Sequence, residues 1–276
     1  MVNQKRLTYT VSAAGFPVYV DGKVHEFNVS QLTHLVELVL EYGIVVLKDQ
    51  KLTRKNEIDV CKRIGRLHDF SQGALFEAND QIVDSNIVEY RTATSDIPWH
   101  YDRFNKFPRD PLHWLYSVDV SEGSVTGYLN TSAAYEKMPS KWKEFLKNKK
   151  ICCGDVVPGE RDSNEFVDRS GPVNLITENR IGKNGIYYPF EAPEGYLYKQ
   201  RYKFQEVSKS DAQAIKEFLP KFMLQEEFLY YHKWDNNDLV LSEQTYTMHR
   251  RFGLGTPDKK RVLHKLSLDY SNIYKD

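Results

Sequence analysis

LHWLYSVDV (112–120), SEGS (121–124) and VTGYLN (125–130) carry the decision on fold. The outer two pieces are short and rich in β-branched and aromatic residues, and the middle piece holds the small polar residues that end strands. Similar runs recur in both directions, at Ile82–Tyr90, Ile151–Val157, Leu175–Thr177, Ile186–Phe190, Leu239–Leu241, Thr245–His249 and Val262–Leu268. Gly182-Lys183-Asn184-Gly185 supplies a hairpin turn between two of them. Helical spacing is concentrated near the N-terminus. Apolar residues at 32, 35, 36, 39 and 40 form a stripe over Leu32–Tyr42, with Gly43 as its cap. Ile44–Leu47 follows as a buried strand, and Thr53 caps a second helix within Leu52–Gly65. That opening is compatible with a βαβ unit. A late helical pattern, Ser208–Tyr231, contains Pro220, which predicts a break or kink. Many short strands with few helices between them predict a mainly β chain with helices (α+β). The expected core is a sandwich or jelly roll, with N-terminal helices and a late helical insertion. One domain over residues 1–276 is expected.

Composition narrows the function. The 38 basic and 38 acidic residues cancel, so broad attraction to nucleic acid or to an anionic membrane has no support. No apolar run is long enough to span a bilayer, and no apolar segment follows the basic N-terminus as in a signal peptide. Cys61, Cys152 and Cys153 fit neither a disulfide framework nor a CxxC site, so free thiols in a reducing cytoplasm are expected. Neither GxGxxG nor GxxxxGK[ST] occurs, which removes the common nucleotide-binding readings.

The chemistry gathers at Pro98-Trp99-His100-Tyr101-Asp102. On a strand, residues i and i+2 share a face, so His100 and Asp102 can converge on one metal ion. A distant histidine would complete the two-imidazole, one-carboxylate triad of non-haem Fe(II) oxygenases, and His249 is the candidate. A histidine paired with a carboxylate at a strand end is the competing reading. Arg261, twelve residues after His249, offers a planar fork for a carboxylate, and Thr126 a hydroxyl beside it. Arg261, Leu263 and Lys265 share a face if their strand is regular, which would direct Lys265 into the same cavity. Tyr188, with Tyr187 and Phe190, can wall a pocket or belong to the core. His25, His34, His113, His232 and His264 lack a partner at ligand spacing and read as structural.

Taken together, these segments resemble the taurine and 2,4-dichlorophenoxyacetate dioxygenase family of Fe(II)- and 2-oxoglutarate-dependent oxygenases. Glu41–Gln50 is similar to the family's early strand, and Ile64–His68 to the glycine after the next helix. Trp99–Asp102 matches the W-H-x-D motif, and Gly123–Thr126 with Ala133–Glu136 stands where the family has G-G-x-T and its downstream partner. His249 matches the distal iron histidine, and Arg261 the arginine that binds 2-oxoglutarate. Ser124 and Ser242-Glu243-Gln244 depart from the pattern without removing a metal ligand. Lys265 stands where some members have an arginine for a substrate's anionic group, and Phe70 near a polar substrate contact of the taurine enzyme.

The resemblance implies a double-stranded β-helix with Fe(II) on His100, Asp102 and His249. It also implies 2-oxoglutarate on Arg261 and Thr126, and O2 as the second co-substrate. Phe70, Tyr188 and Lys265 are the candidate substrate contacts. The implied activity is hydroxylation of an unactivated C–H bond, coupled to conversion of 2-oxoglutarate to succinate and CO2. Desaturation, ring formation and a non-catalytic binding protein are the rivals. The expected partner is a small-molecule substrate, anionic if Lys265 meets it; a homo-oligomer is left open.

Overall fold

Asn28 starts the first long helix. Its side chain accepts a hydrogen bond from the Gln31 amide, and the Gln31 side chain accepts one from the Asn28 amide. This reciprocal capping box satisfies amide groups that the helix cannot pair internally. The helix runs Val29–Tyr42 and ends at Gly43, whose φ of 80° lies in the region that favours glycine. Thr53 and Asn56 form the same box before the helix Arg54–Ile64. The computed structural model describes residues 6–69, 80–84, 87–90, 96–104, 111–156, 166–191, 201–254 and 259–274.

Both helices cover one face of an eight-stranded sheet. Its order is Tyr9–Val11, Val18–Val20, Ile44–Leu47, Leu239–Glu243, Leu112–Val120, Arg261–Leu268, Ile87–Tyr90 and Asp80–Asp84. The other face looks onto a four-stranded sheet in the order Leu229–Lys233, Val125–Asn130, Thr247–Phe252 and Ile97–His100. Strand alternation sorts the side chains. Val45, Leu47, Trp114, Tyr116, Leu266 and Leu268 pack with Leu32, Leu35 and Cys61 of the helices. Ile44, Val46, Leu115, Val240 and Leu263 point the other way, onto Tyr128 and Trp234. A third core lies beyond the four-stranded sheet. There Trp99, Leu129 and Met248 meet the helices Thr131–Lys137, Ser140–Leu146 and Lys209–Met223. A three-stranded sheet, Phe166–Asn174, Lys150–Val156 and Arg201–Gln205, adds Ile151, Cys153 and Val173 to that core.

The α+β class holds, and several boundaries move. The run expected as one strand over residues 82–90 contains two, Asp80–Asp84 and Ile87–Tyr90, paired antiparallel. The late helix stops at Met223, within a turn of Pro220, whose missing N–H leaves one i→i−4 bond unmade, and Leu229–Lys233 is a strand paired with Val125–Asn130. Tyr187–Phe190 is buried but not a strand; only Asn184–Ile186 pairs. Phe166–Asn174 was hidden by Gly171 and Pro172, which sit at a register shift in its pairing. The helix Thr131–Lys137 is begun by Asn130, whose side chain accepts from the Ser132 and Ala133 amides. A parallel pair does flank the first helix, using Val18–Val20 and Ile44–Leu47. No disulfide joins Cys61, Cys152 or Cys153. No described helix is long and apolar enough to cross a membrane.

Gly65 marks where the N-terminal layer touches the end of the chain. Its φ of −172° is ordinary extended backbone, so conformation does not require glycine. Space does: a Cβ there would fall on the backbone carbonyl of Asp269. The neighbouring Arg66 amide donates to Asp269 Oδ1 at 2.7 Å, and Leu67 bridges to Leu268. Backbone cannot swing aside as a flexible side chain can. Gly65→Ala is therefore expected to lower unfolding free energy by about 1–3 kcal/mol, the usual cost of overpacking. Denaturant titration reads this directly, and an unchanged midpoint would mean the two segments separate without cost.

Candidate active site

The polar residues singled out above meet between the two large sheets. Trp99 faces the outer core, so His100, one residue on, faces inward. Met248 likewise faces outward and leaves His249 and Arg251 inward. His249 pairs in register with both His100 and Tyr128, which puts it at the centre of the four-stranded sheet. His100 Nδ1 lies 2.7 Å from the Pro98 carbonyl oxygen, so that nitrogen carries the proton and Nε2 turns toward Asp102. Asp102 Oδ1 is 3.9 Å from His100 Nε2, and its Oδ2 is 3.7 Å from His249 Nε2. One ligand atom from each of the three residues lies within 4.8 Å of the others.

Burial lowers the pKa of His100 and His249, the latter strongly, so both are neutral near pH 7. Neutral imidazole is the ligating form. Burial alone would raise the Asp102 carboxyl, but the Lys265 ammonium and then the surrounding histidines outweigh it. They hold the carboxyl well below its usual range. Asp102 Oδ2 is buried yet receives no aligned hydrogen bond. Two neutral imidazoles and a carboxylate fit a divalent transition metal.

A second cluster lies alongside. Arg261, from the eight-stranded sheet, donates from Nη2 to Thr126 Oγ1 of the four-stranded sheet at 2.6 Å. Trp234 Nε1 donates to the same oxygen at 2.8 Å. Arg261 is only 4% exposed, and its Nε has no hydrogen-bond partner among the described residues. Burial, reinforced by Arg251, pushes Arg261 down to about 9, which leaves it cationic at neutral pH. A buried cation with an unused N–H is poised for an anion. Phe16, Leu115, Tyr128 and Leu263 belong to one buried apolar cluster.

The structure thus brings together His100, Asp102, His249, Thr126, Arg261 and Lys265. Lys265 is buried, and its Nζ lies 2.7 Å from Asp102 Oδ2. Strand parity placed it correctly on the cavity side; its anionic neighbour among the described residues is the aspartate itself. Tyr188 lies elsewhere. Its hydroxyl meets that of Tyr202 at 2.5 Å, and its ring lines a cavity of about 290 Å³ with Trp99, Phe190 and Lys216 on the outer side of the four-stranded sheet. Phe70 lies outside the described residues.

Sequence reasoning missed His113 and Trp234. His113 is 1% exposed, its Nε2 lies 3.2 Å from Asp102 Oδ2, and neither ring nitrogen has a hydrogen bond. Its signal was parity with Leu115, usable only once that leucine was known to face the cavity.

Removing Lys265 leaves the Asp102 carboxylate buried without its nearest cation. Lys265→Met should therefore destabilise the metal-free protein by about 3 kcal/mol at pH 7, the scale for breaking a buried pair. Chemical denaturation in a chelator measures this; equal stability of the variant and the parent would mean that the pair contributes nothing.

A family model described as taurine catabolism dioxygenase TauD, TfdA family matches residues 4–267. The chain is also similar to an (S)-phenoxypropionate/alpha-ketoglutarate-dioxygenase of Sphingobium herbicidovorans. The two are 22% identical over 244 residues, which are 82% of each chain. In fold it is similar to a putative alpha-ketoglutarate-dependent taurine dioxygenase from Burkholderia xenovorans. That match has a TM-score of 0.77 and 17% identity, over 95% of this chain and 89% of that one. It is similar as well to AAD-2, crystallised with Mn(II) and N-oxalylglycine. There the TM-score is 0.72 and the identity 18%, over 95% of this chain and 96% of that one. With nearly its whole length matched by the family model, the chain belongs to the TauD, TfdA family of dioxygenases.

Proposed function

We propose that this dioxygenase hydroxylates an unactivated C–H bond of a small-molecule substrate, using Fe(II), 2-oxoglutarate and O2. The observation that carries the reading is the convergence of His100, Asp102 and His249 on one point, beside a buried arginine with an unused N–H. His100, Asp102 and His249 would hold the metal on one face and leave its remaining positions to co-substrate and O2. Arg261 and Thr126 would bind the far carboxylate of 2-oxoglutarate. AAD-2 binds Mn(II) together with N-oxalylglycine, a molecule with an oxalyl end and a second carboxylate, and so supports this assignment. We read the eight- and four-stranded sheets as the two walls of a double-stranded β-helix.

The bound metal supplies O2 activation coupled to conversion of 2-oxoglutarate to succinate and CO2. The chain does the rest. Neutral His100 and His249 present lone pairs without first losing a proton. Arg261 and the Thr126 hydroxyl orient the dicarboxylate so that its other end faces the triad. Leu115, Tyr128 and Leu263 keep the surroundings apolar, which strengthens each charged contact made inside. Lys265, and Arg251 in register with Thr126, add positive charge to the same space. A non-catalytic binding protein would have no need of a complete triad.

Two substitutions test the assignment separately. His100→Ala or His249→Ala should abolish stoichiometric Fe(II) binding, measured by metal analysis after dialysis, with circular dichroism unchanged. Normal metal content in both would remove the triad. Arg261→Lys keeps the charge but loses the planar fork. It should weaken 2-oxoglutarate binding about tenfold, or ~1.4 kcal/mol, while Fe(II) content stays at the parent level. Unchanged 2-oxoglutarate affinity would place the co-substrate elsewhere.

A further inference from the structure

We infer that Trp234 is a positioning residue for 2-oxoglutarate, acting through the Thr126 hydroxyl, an inference that rests on the function proposed above. A threonine hydroxyl has one proton to donate and two lone pairs to accept with. At Thr126 both lone pairs are taken, one by Arg261 Nη2 at 2.6 Å and the other by Trp234 Nε1 at 2.8 Å. Thr126, Arg261 and Trp234 are exposed by only 2%, 4% and 4%, so water does not compete for these bonds. Among the described residues none accepts the Thr126 proton. The hydroxyl is thereby committed as a donor, and the third direction at its oxygen is left for a ligand.

Arg261 alone would not impose this. With one lone pair filled, the hydroxyl could rotate and accept a second bond, meeting a carboxylate with a lone pair instead of a proton. The indole closes that option. Trp234 is itself held: its amide donates to the Ser124 carbonyl at 3.0 Å, and its ring packs against His232 edge-on at 4.4 Å. His232 is fixed in turn by the Tyr230 hydroxyl on Nδ1 at 2.8 Å, with Asp238 Oδ2 lying 3.2 Å from its Nε2. A buried aromatic scaffold thus sets the polarity of one hydroxyl. Its consequence is selectivity. The O–H of Thr126 and the unused Nε–H of Arg261 are both donors. Together they suit the far carboxylate of a 2-oxo dicarboxylate and do nothing for a 2-oxo acid that lacks one.

The test uses the full chain loaded with Zn(II) in place of iron, with calorimetric binding of 2-oxoglutarate and of oxalate. Oxalate can chelate a metal but has no far carboxylate. Trp234→Phe should weaken 2-oxoglutarate about fivefold, the scale of one net hydrogen bond, and leave oxalate unchanged. On a Thr126→Val background the same change should have no further effect, because the residue through which it acts is gone. Equal weakening of both ligands, full weakening on the valine background, or no weakening at all would each overturn the inference. Parental protein that binds oxalate but not 2-oxoglutarate would overturn the co-substrate reading itself, and the inference with it. A measurement without substitution guards against a variant that fails to fold. The indole N–H resonance of Trp234 should shift on adding 2-oxoglutarate and not on adding oxalate; identical responses to the two ligands would contradict the inference.

Discussion

Two facing β-sheets leave a gap into which only alternate residues of each strand can point, and the site depends on that constraint. Apolar residues fill part of this gap, as the cluster of Ile44, Val46, Leu115, Tyr128, Val240 and Leu263 shows. Polar groups placed there cannot be satisfied by bulk water, so they must satisfy one another or wait for a ligand. His100, Asp102 and His249 do both. Their ligand atoms lie within 4.8 Å of one another, yet Asp102 Oδ2 and His249 Nδ1 have no hydrogen bond. Arg261 repeats the pattern, bonded to Thr126 by one nitrogen and unpartnered at Nε.

The charges in the gap explain why the polypeptide can hold these groups before any ligand arrives. Asp102 is an anion ringed by the Lys265 ammonium and three imidazoles, His100, His113 and His249. Arg261 lies on the same strand as Lys265 and bonds across the gap to the opposite sheet. Behind that strand, His264 faces the other way and is held by Glu57 at 2.7 Å and Glu89 at 3.2 Å, while Arg54 pairs with Glu89. Charged groups thus lie against both faces of the strand. The acids of the outer face come from the helix Arg54–Ile64 and the strand Ile87–Tyr90.

Much of this was legible in the sequence, for physical reasons. His100 and Asp102 stand two apart, and alternation along a strand makes that spacing meaningful. Arg261 and Lys265 could be assigned to one face by the same rule. What stayed hidden required knowing which face of a strand met which layer. His113 looks like a core residue until Leu115 is seen to line the gap, and Trp234 acquires a role only when its indole is found on Thr126. Tyr188 shows a different limit. An aromatic run after a turn has no parity signal to say which core it joins, and this one joined the outer core. The strand Phe166–Asn174 was obscured by Gly171 and Pro172, because propensity sums cannot see a register shift that accommodates them. Substrate identity is not legible at this level, since loops set it.

The central claim is that one metal ion and one dicarboxylate share the gap between the sheets. A crystal structure of the protein with Mn(II) and N-oxalylglycine, with manganese located by its anomalous signal, tests that claim most directly. The account predicts a single anomalous peak within bonding distance of His100, Asp102 and His249, with the far carboxylate of the inhibitor on Arg261 and the Thr126 hydroxyl. Manganese bound without Asp102, or an inhibitor whose carboxylate leaves Arg261 untouched, would contradict it.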